Sequence, residues 1–224
     1  MPDILAYSLS DGIATLTMDD GKANAMAPAM SAALNEGLDR AAAEGAKAVV
    51  IRGRAGLLCG GFDLKIIRGE DEVLKAQMRD AGMKLLERLY LSPLPIVFAV
   101  TGHAVAMGAL LLFAGDWRVG LRGDFRIGLN ETGIGLSLPV TGLELARDRL
   151  APQVLGEATI NATLYSPDQA AGIGYLDEVA DLADFDARAR AAAERLAALD
   201  PAAFALTKRK VRQPTIDRIR ALEG

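Results

Sequence analysis

The chain is predicted to be an α/β protein, and three observations carry that expectation. Short apolar runs at 48–51, 95–100 and 117–121 have the length of buried strands. The stretches between them place apolar residues at helical spacing. From about 138 onward the pattern is almost wholly helical, so a β-rich core is expected first and a helical region after it.

Residues 4–9 and 13–18 read as the two strands of a hairpin, joined through Ser10-Asp11-Gly12. After a polar break at 19–22, Asn24-Ala25-Met26 leads to Pro28. That proline suits the first turn of a helix running to about 44, with Met30, Leu34 and Leu38 on its apolar face. Residues 48–51 form a strand that stops at Gly53, and 54–61 read as a loop. Asp63 is placed to cap a helical turn. A long charged helix is expected over 70–91, stopped by Ser92-Pro93. Strand 95–100 gives out at Thr101-Gly102, where small residues lead into the apolar run 109–114. Strand 117–121 follows, with a turn at Arg122-Gly123-Asp124. Helical segments are expected at 142–150, 152–162, 167–171 and 185–199, and 201–222 as two short helices or one broken one.

With 51% hydrophobic and 24% charged residues in 224, the chain can bury one substantial core. A net charge of -4 gives no basic footprint for nucleic acid, and the cluster Lys208-Arg209-Lys210 with Arg212 is short. The single cysteine, Cys59, excludes an intrachain disulfide and fits a reducing compartment. No signal peptide and no bilayer-length apolar run are visible, so a cytoplasmic protein without a membrane span is expected.

Three stretches are candidates for chemistry. Residues 102–116, Gly-His-Ala-Val-Ala-Met-Gly onward, join a strand to a helix through small residues, which leaves helix N–H donors free to hold a negative oxygen. Residues 56–64 carry paired glycines ahead of Phe62 and Asp63; if Asp63 caps a helical turn, the Phe62 N–H projects toward the same space as that of Met107. Two such donors would form an oxyanion hole. Residues 125–135 place Glu131 among apolar and small neighbours, where burial raises a carboxyl pKa toward that of a working proton shuttle. Taken singly, these also fit a plain strand-to-helix turn, a surface loop and a helix start. His103 reads as structural, and Cys59 has no partner that would make it a nucleophile or metal ligand. Asp116 is expected to tie down a loop, and Met26, Met78 and Met83 to pack in the core. Glu144, Arg147 and Asp148 read as a solvated helix face.

In this order and separation the three stretches resemble the crotonase superfamily, the enoyl-CoA hydratase/isomerase family, from the N-terminal hairpin to about residue 183. Cys-Gly-Gly-Phe-Asp-Leu (59–64) is similar to the family's first oxyanion motif, with Phe62 as donor, and 102–116 to its second, with Met107 as donor. The resemblance implies a crotonase-like spiral of ββα units over 1–183 that holds the catalytic pocket, and a helical C-terminal trimerisation region over 184–224. It further implies a homotrimer or hexamer and an acyl-CoA substrate, with coenzyme A arriving as part of that substrate and no separate cofactor or metal. The positions matching the family's CoA contacts are Lys22, Ala23, Gly60, Asp63 and Leu64, and Lys208 and Lys210 are candidate phosphate contacts. The chain ends soon after this basic segment, where family members often continue with a longer closing helix.

Subfamily turns on the carboxylates. Leu110, in the implied acyl pocket with Met107, occupies the place of one hydratase Glu, and Glu131 aligns with the other, four residues before Gly135. Ile-Gly-Leu-Asn-Glu-Thr (127–132) resembles the matching segment of the Δ3,Δ2-enoyl-CoA isomerases, which need one base. An isomerase with Glu131 as catalytic residue is therefore expected. The alternatives are a crotonase-type hydrolase, decarboxylase or weak hydratase, and a noncatalytic acyl-CoA-binding protein.

Overall fold

Asp11 and Gly12 both take left-handed backbone, with φ of 51° and 77°. This two-residue turn matches the twist of a hairpin and folds β1 (Leu5–Ser10) onto β2 (Ile13–Met18). The computed structural model describes residues 4–223. After the hairpin come α1 (Pro28–Ala43), β3 (Ala48–Arg52), β4 (Gly56–Cys59), α2 (Leu64–Arg68) and α3 (Glu72–Tyr90). Next are β5 (Ile96–Val100), β6 (Gly102–Val105), α4 (Met107–Ala114), β7 (Trp117–Leu121) and β8 (Ile127–Gly128). The chain closes through α5 (Val140–Arg149), α6 (Leu155–Thr159), α7 (Pro167–Ile173), β9 (Glu178–Ala180), α8 (Leu182–Ala197) and α9 (Pro201–Glu223).

One sheet has the order β1-β2-β3-β5-β7-β9, parallel beyond the first hairpin, and a smaller parallel sheet has the order β4-β6-β8. Each of the pairs β3–β4, β5–β6 and β7–β8 therefore gives one strand to each sheet, and helices return the chain after the first two pairs. That repeat is the expected spiral of ββα units. Buried residues on one face of the large sheet, among them Leu16, Ile51 and Phe98, pack with α1, α3 and α4. On the other face, Val50, Val97 and Val119 meet Phe185, Ala189, Ala193 and Leu196 of α8. Among the described residues, no helix is long and apolar enough to cross a membrane, and no cluster of potential metal ligands occurs.

Several sequence expectations need correction. The supposed loop 54–61 contains β4, and the small-residue turn after Thr101 contains β6. Glycine-rich strands carry little propensity signal, and here glycine is a packing requirement. A Cβ on Gly102 would lie 1.9 Å from the backbone carbon of Gly56 on the neighbouring strand. Strand β9 was also not anticipated. Residues 201–223 form one continuous helix in spite of Pro214. Proline removes the bond to the carbonyl four residues back, which is that of Lys210 on the exposed face of α9, where water can take it. Glu144 is not on a solvated face: it is buried and clasps Arg147 and Arg218, both at 3.2 Å, tying α5 to α9. Arg147 and Asp148 are exposed as expected.

Candidate active site

The site is built where the two sheets' crossovers meet. Asn24, fully buried, donates to the carbonyls of Met18 (2.9 Å) and Leu58 (3.1 Å), stitching the segment after β2 to β4. Beside it the Gly60 N–H donates to the Ala23 carbonyl at 2.9 Å. The chain then turns through Gly61 at φ 107°, a conformation that glycine alone adopts without strain. Opposite stands Ala106, whose φ 53° and ψ -121° are strained for a residue with a Cβ. The two are in close contact: a Cβ on Gly61 would lie 3.1 Å from that of Ala106 and 3.8 Å from the Met107 nitrogen. Two unusual backbone conformations thus face each other, and Phe62 and Met107 directly follow them.

Neither following amide is committed to the local ladder. Met107 opens α4, in whose first turn N–H groups lack intrahelical acceptors. The bridge between Phe62 and Met26 is closed by the Met26 N–H, which donates to the Gly61 carbonyl at 2.8 Å. Gly108 lets α4 approach β4, since a Cβ there would meet the Cys59 carbonyl oxygen at 2.2 Å. Gly108→Ala is expected to lower stability by about 1–3 kcal/mol through this overlap, where an unencumbered helix would gain up to about 1 kcal/mol. Chemical denaturation decides between the two signs.

A cavity of about 380 Å³ is lined by Phe62, Leu110 and Glu131 together, while Met107 is not part of its lining. Glu131 precedes a short 3-10 turn, Thr132–Ile134, held by Thr132 Oγ1 donating to the Ile160 carbonyl at 2.9 Å. The Glu131 side chain is buried, and its Oε2 has no hydrogen-bond partner among the described residues. Burial is the main influence on it and raises the carboxyl above its ordinary pKa of 4.5, while the nearby N–H groups of Glu131 and Asn130 pull the other way. An orphaned, desolvated carboxylate on a cavity wall can accept a proton from whatever occupies the cavity.

Met107 is buried just behind this wall. A Cβ on Gly82 of α3 would touch both the Phe62 ring (2.6 Å) and the Met107 methyl (3.4 Å). Of the residues expected at a CoA end, Ala23 and Gly60 are joined as described. The carbonyl of exposed Lys22 accepts from Arg54 Nε at 3.1 Å. Asp63 caps α2 by accepting from the Lys65 N–H at 2.8 Å, and Leu64 is exposed. Lys208 is a correction: it is buried in α9 with its Nζ 2.7 Å from Asp116 Oδ2, so it is not free for a phosphate. Lys210 is exposed.

Asp116 ties the chain down as expected, accepting also from the Ile96 N–H at 2.8 Å. His103 is structural: its Nδ1 accepts from the Arg126 N–H at 3.0 Å, and its ring packs edge-on against Phe125. Burial pushes the Cys59 thiol up to about 12, which leaves it inert. Met26 and Met78 are buried in the core and Met83 packs against it, and Met78 and Met83 also line the cavity. Lys75, Arg79, Ser137 and Pro139 were not anticipated there. For α3 the signal was present in the spacing 75, 78–79 and 82–83, one helical face. Two further cavities, about 420 and 490 Å³, lie at the α8–α9 junction, where the buried charges Asp116, Lys208 and Arg212 are bound to one another.

Comparison with known proteins places this geometry in context. A family model described as enoyl-CoA hydratase/isomerase matches residues 8–222. A probable enoyl-CoA hydratase of Rhodobacter capsulatus is 32% identical over 92% of this chain and 79% of its own length. Among solved structures, an enoyl-CoA hydratase/isomerase family protein from Pseudomonas syringae superposes with a TM-score of 0.94 at 39% identity, covering 98% of this chain and 94% of that one. A Mycobacterium tuberculosis protein, called an enoyl-CoA isomerase with one structure and a probable enoyl-CoA hydratase with another, gives 0.93 at 39% identity with the first, covering 99% and 96%.

Proposed function

Because the chain belongs to the enoyl-CoA hydratase/isomerase family, we propose that it moves the double bond of a 3-enoyl-CoA to the 2 position, with Glu131 as the proton shuttle. The observation that carries this reading is a cavity with one buried carboxylate. Among the described residues lining it, the only other carboxylate is Glu72, which is exposed and paired with Lys75 at 2.6 Å. Leu110, from the wall of α4, is fully apolar and buried.

The chemistry follows from those groups. The Glu131 carboxylate takes a proton from C2, and the electron pair spreads through the double bond onto the thioester oxygen as a dienolate. The N–H groups of Phe62 and Met107 hold that oxygen, at the point where negative charge develops. The Glu131 carboxyl then returns the proton to C4, and the double bond is left between C2 and C3. Hydration would need a second group to activate or orient water, and Leu110 instead keeps the cavity dry. Lys22, Ala23, Gly60, Asp63 and Leu64 form the proposed seat of the CoA portion, which enters as part of the substrate, so the reaction needs no separate cofactor. Assembly into a trimer or hexamer belongs to the same proposal, supported by the exposed Leu199, Leu206, Val211 and Leu222 of the closing segment.

The test is absorbance of the conjugated 2-enoyl thioester after mixing the protein with medium-chain 3-enoyl-CoA. A rise is expected. Absence of any rise across several chain lengths overturns the isomerase reading. Loss of absorbance from 2-enoyl-CoA would then identify a hydratase, and release of free thiol a hydrolase.

A further inference from the structure

The face that α3 turns to the cavity changes character along its length. Glu72, Lys75, Met78, Arg79 and Met83 all line the cavity, at spacings that keep one side of the helix. At the end beside Phe62 this face is Met83 and Gly82; one to two turns back it is cationic. The other charged side chains of α3 are paired: Glu72 with Lys75 (2.6 Å), Asp80 with Lys84 (2.7 Å), Arg88 with Asp39 (2.5 Å) and Glu87 with Arg220. Arg79 has no ion pair among the described residues. Its neighbour four residues back, Lys75, is held by Glu72, whereas the Arg79 side chain is exposed at the cavity rim. Arg79 is thus the one cation on this cavity wall without an ion pair among the described residues, and its guanidinium is left to pair with an anion inside the cavity.

We propose that the acyl chain accepted by this site ends in a carboxylate, which Arg79 binds with Lys75 beside it. The inference rests on the acyl-CoA reading above: a thioester held at Phe62 and Met107 sends its apolar carbons past Met83 and Met78 and its far end to Arg79. The guanidinium fork suits a carboxylate. It would equally suit a phosphate of the CoA portion, so the test separates the two.

Binding of two saturated acyl-CoA thioesters of equal chain length, one ending in methyl and one in carboxylate, is measured by titration calorimetry. Neither can be isomerised, so the affinities do not depend on which reaction the enzyme catalyses. Wild type is expected to bind the carboxylate form about fivefold more tightly, as a partly exposed ion pair allows. Added salt should shrink that advantage, and Arg79→Met should bring both ligands to one Kd. Equal affinities in wild type, or tighter binding of the methyl form, overturn the proposal. An equal loss for both ligands in Arg79→Met also overturns it and assigns Arg79 to the CoA phosphates. Failure to bind either ligand rejects the acyl-CoA reading itself, and the proposal with it.

Discussion

Glu131→Gln is expected to lower the rate of 3-enoyl-CoA isomerisation by about 10²–10⁴-fold, the range that a positioned general base supplies, while leaving acyl-CoA affinity nearly unchanged. Gln keeps the volume and loses the proton-accepting oxygen, so a fall in kcat without a rise in KM is the signature. In wild type the rate should fall as pH drops through the raised carboxyl pKa, because the base is then protonated before substrate arrives. The stability consequence has a definite sign. The folded-state pKa lies above the unfolded value, so folding binds protons in the window that starts near 4.5, and stability falls as pH rises through the folded pKa. Above that window the wild type bears the cost of a buried, unpartnered carboxylate, and the Gln variant does not. The variant should therefore be more stable relative to wild type at neutral pH than at pH 4. Melting curves at the two pH values, set beside the kinetics, test both halves. A variant that keeps full activity would remove Glu131 from the mechanism.

Much of this site was legible in the sequence because its signals are local. Paired glycines before Phe62 and small residues before Met107 announce backbone that approaches something closely, and in the structure Gly61 and Ala106 do meet. Glu131 was legible as a carboxylate with apolar chain neighbours, and its burial follows from that frame. What could not be read depends on contacts between distant elements. Strands β4 and β6 are made by Gly56 lying against Gly102, a fit that looks like a loop in either segment alone. The basic run 208–212 looks like solvent-facing helix until α9 docks, and only then do Lys208 and Arg212 turn into the core. Arg79 stays exposed on α3, and its place on a cavity wall shows only once Glu131 and Leu110 arrive from other parts of the chain to complete that cavity. Even Pro214 misleads for this reason, since tertiary anchoring on both sides outweighs the helix bond it removes.

Asp116→Asn is expected to cost about 3–5 kcal/mol, the penalty for leaving buried charge without its partner. That would lower Tm by roughly 10 °C in a chain of this size. Lys208, Asp116 and Arg212 have side chains 4%, 9% and 7% exposed, and one carboxylate serves both cations. Asn keeps an acceptor for the Ile96 N–H, so the loss isolates the charge. Burial lowers Lys208 to about 8, with Asp116 the main influence holding it up. Without Asp116 that pKa drops further, so the lone ammonium sheds its proton sooner. A cation with a depressed folded-state pKa is most costly at low pH and regains stability as pH rises through that value. The gap between variant and wild type should therefore narrow as pH climbs toward about 8. Adding Lys208→Met to Asp116→Asn should recover part of the loss, since one of the two stranded charges is gone. The effect should also reach the site. Arg212 donates to the carbonyls of Ala114 (3.1 Å) and Gly115 (2.9 Å), and Arg149 to that of Phe113 (2.9 Å), so these cations close the C-terminal end of α4. Met107 begins the same eight-residue helix. Loosening one end of so short a helix should shift the N–H at the other. A reduced kcat in the folded variant, measured well below its lowered Tm, would tie the buried charges of α9 to the position of that donor; an unchanged kcat would confine them to stability.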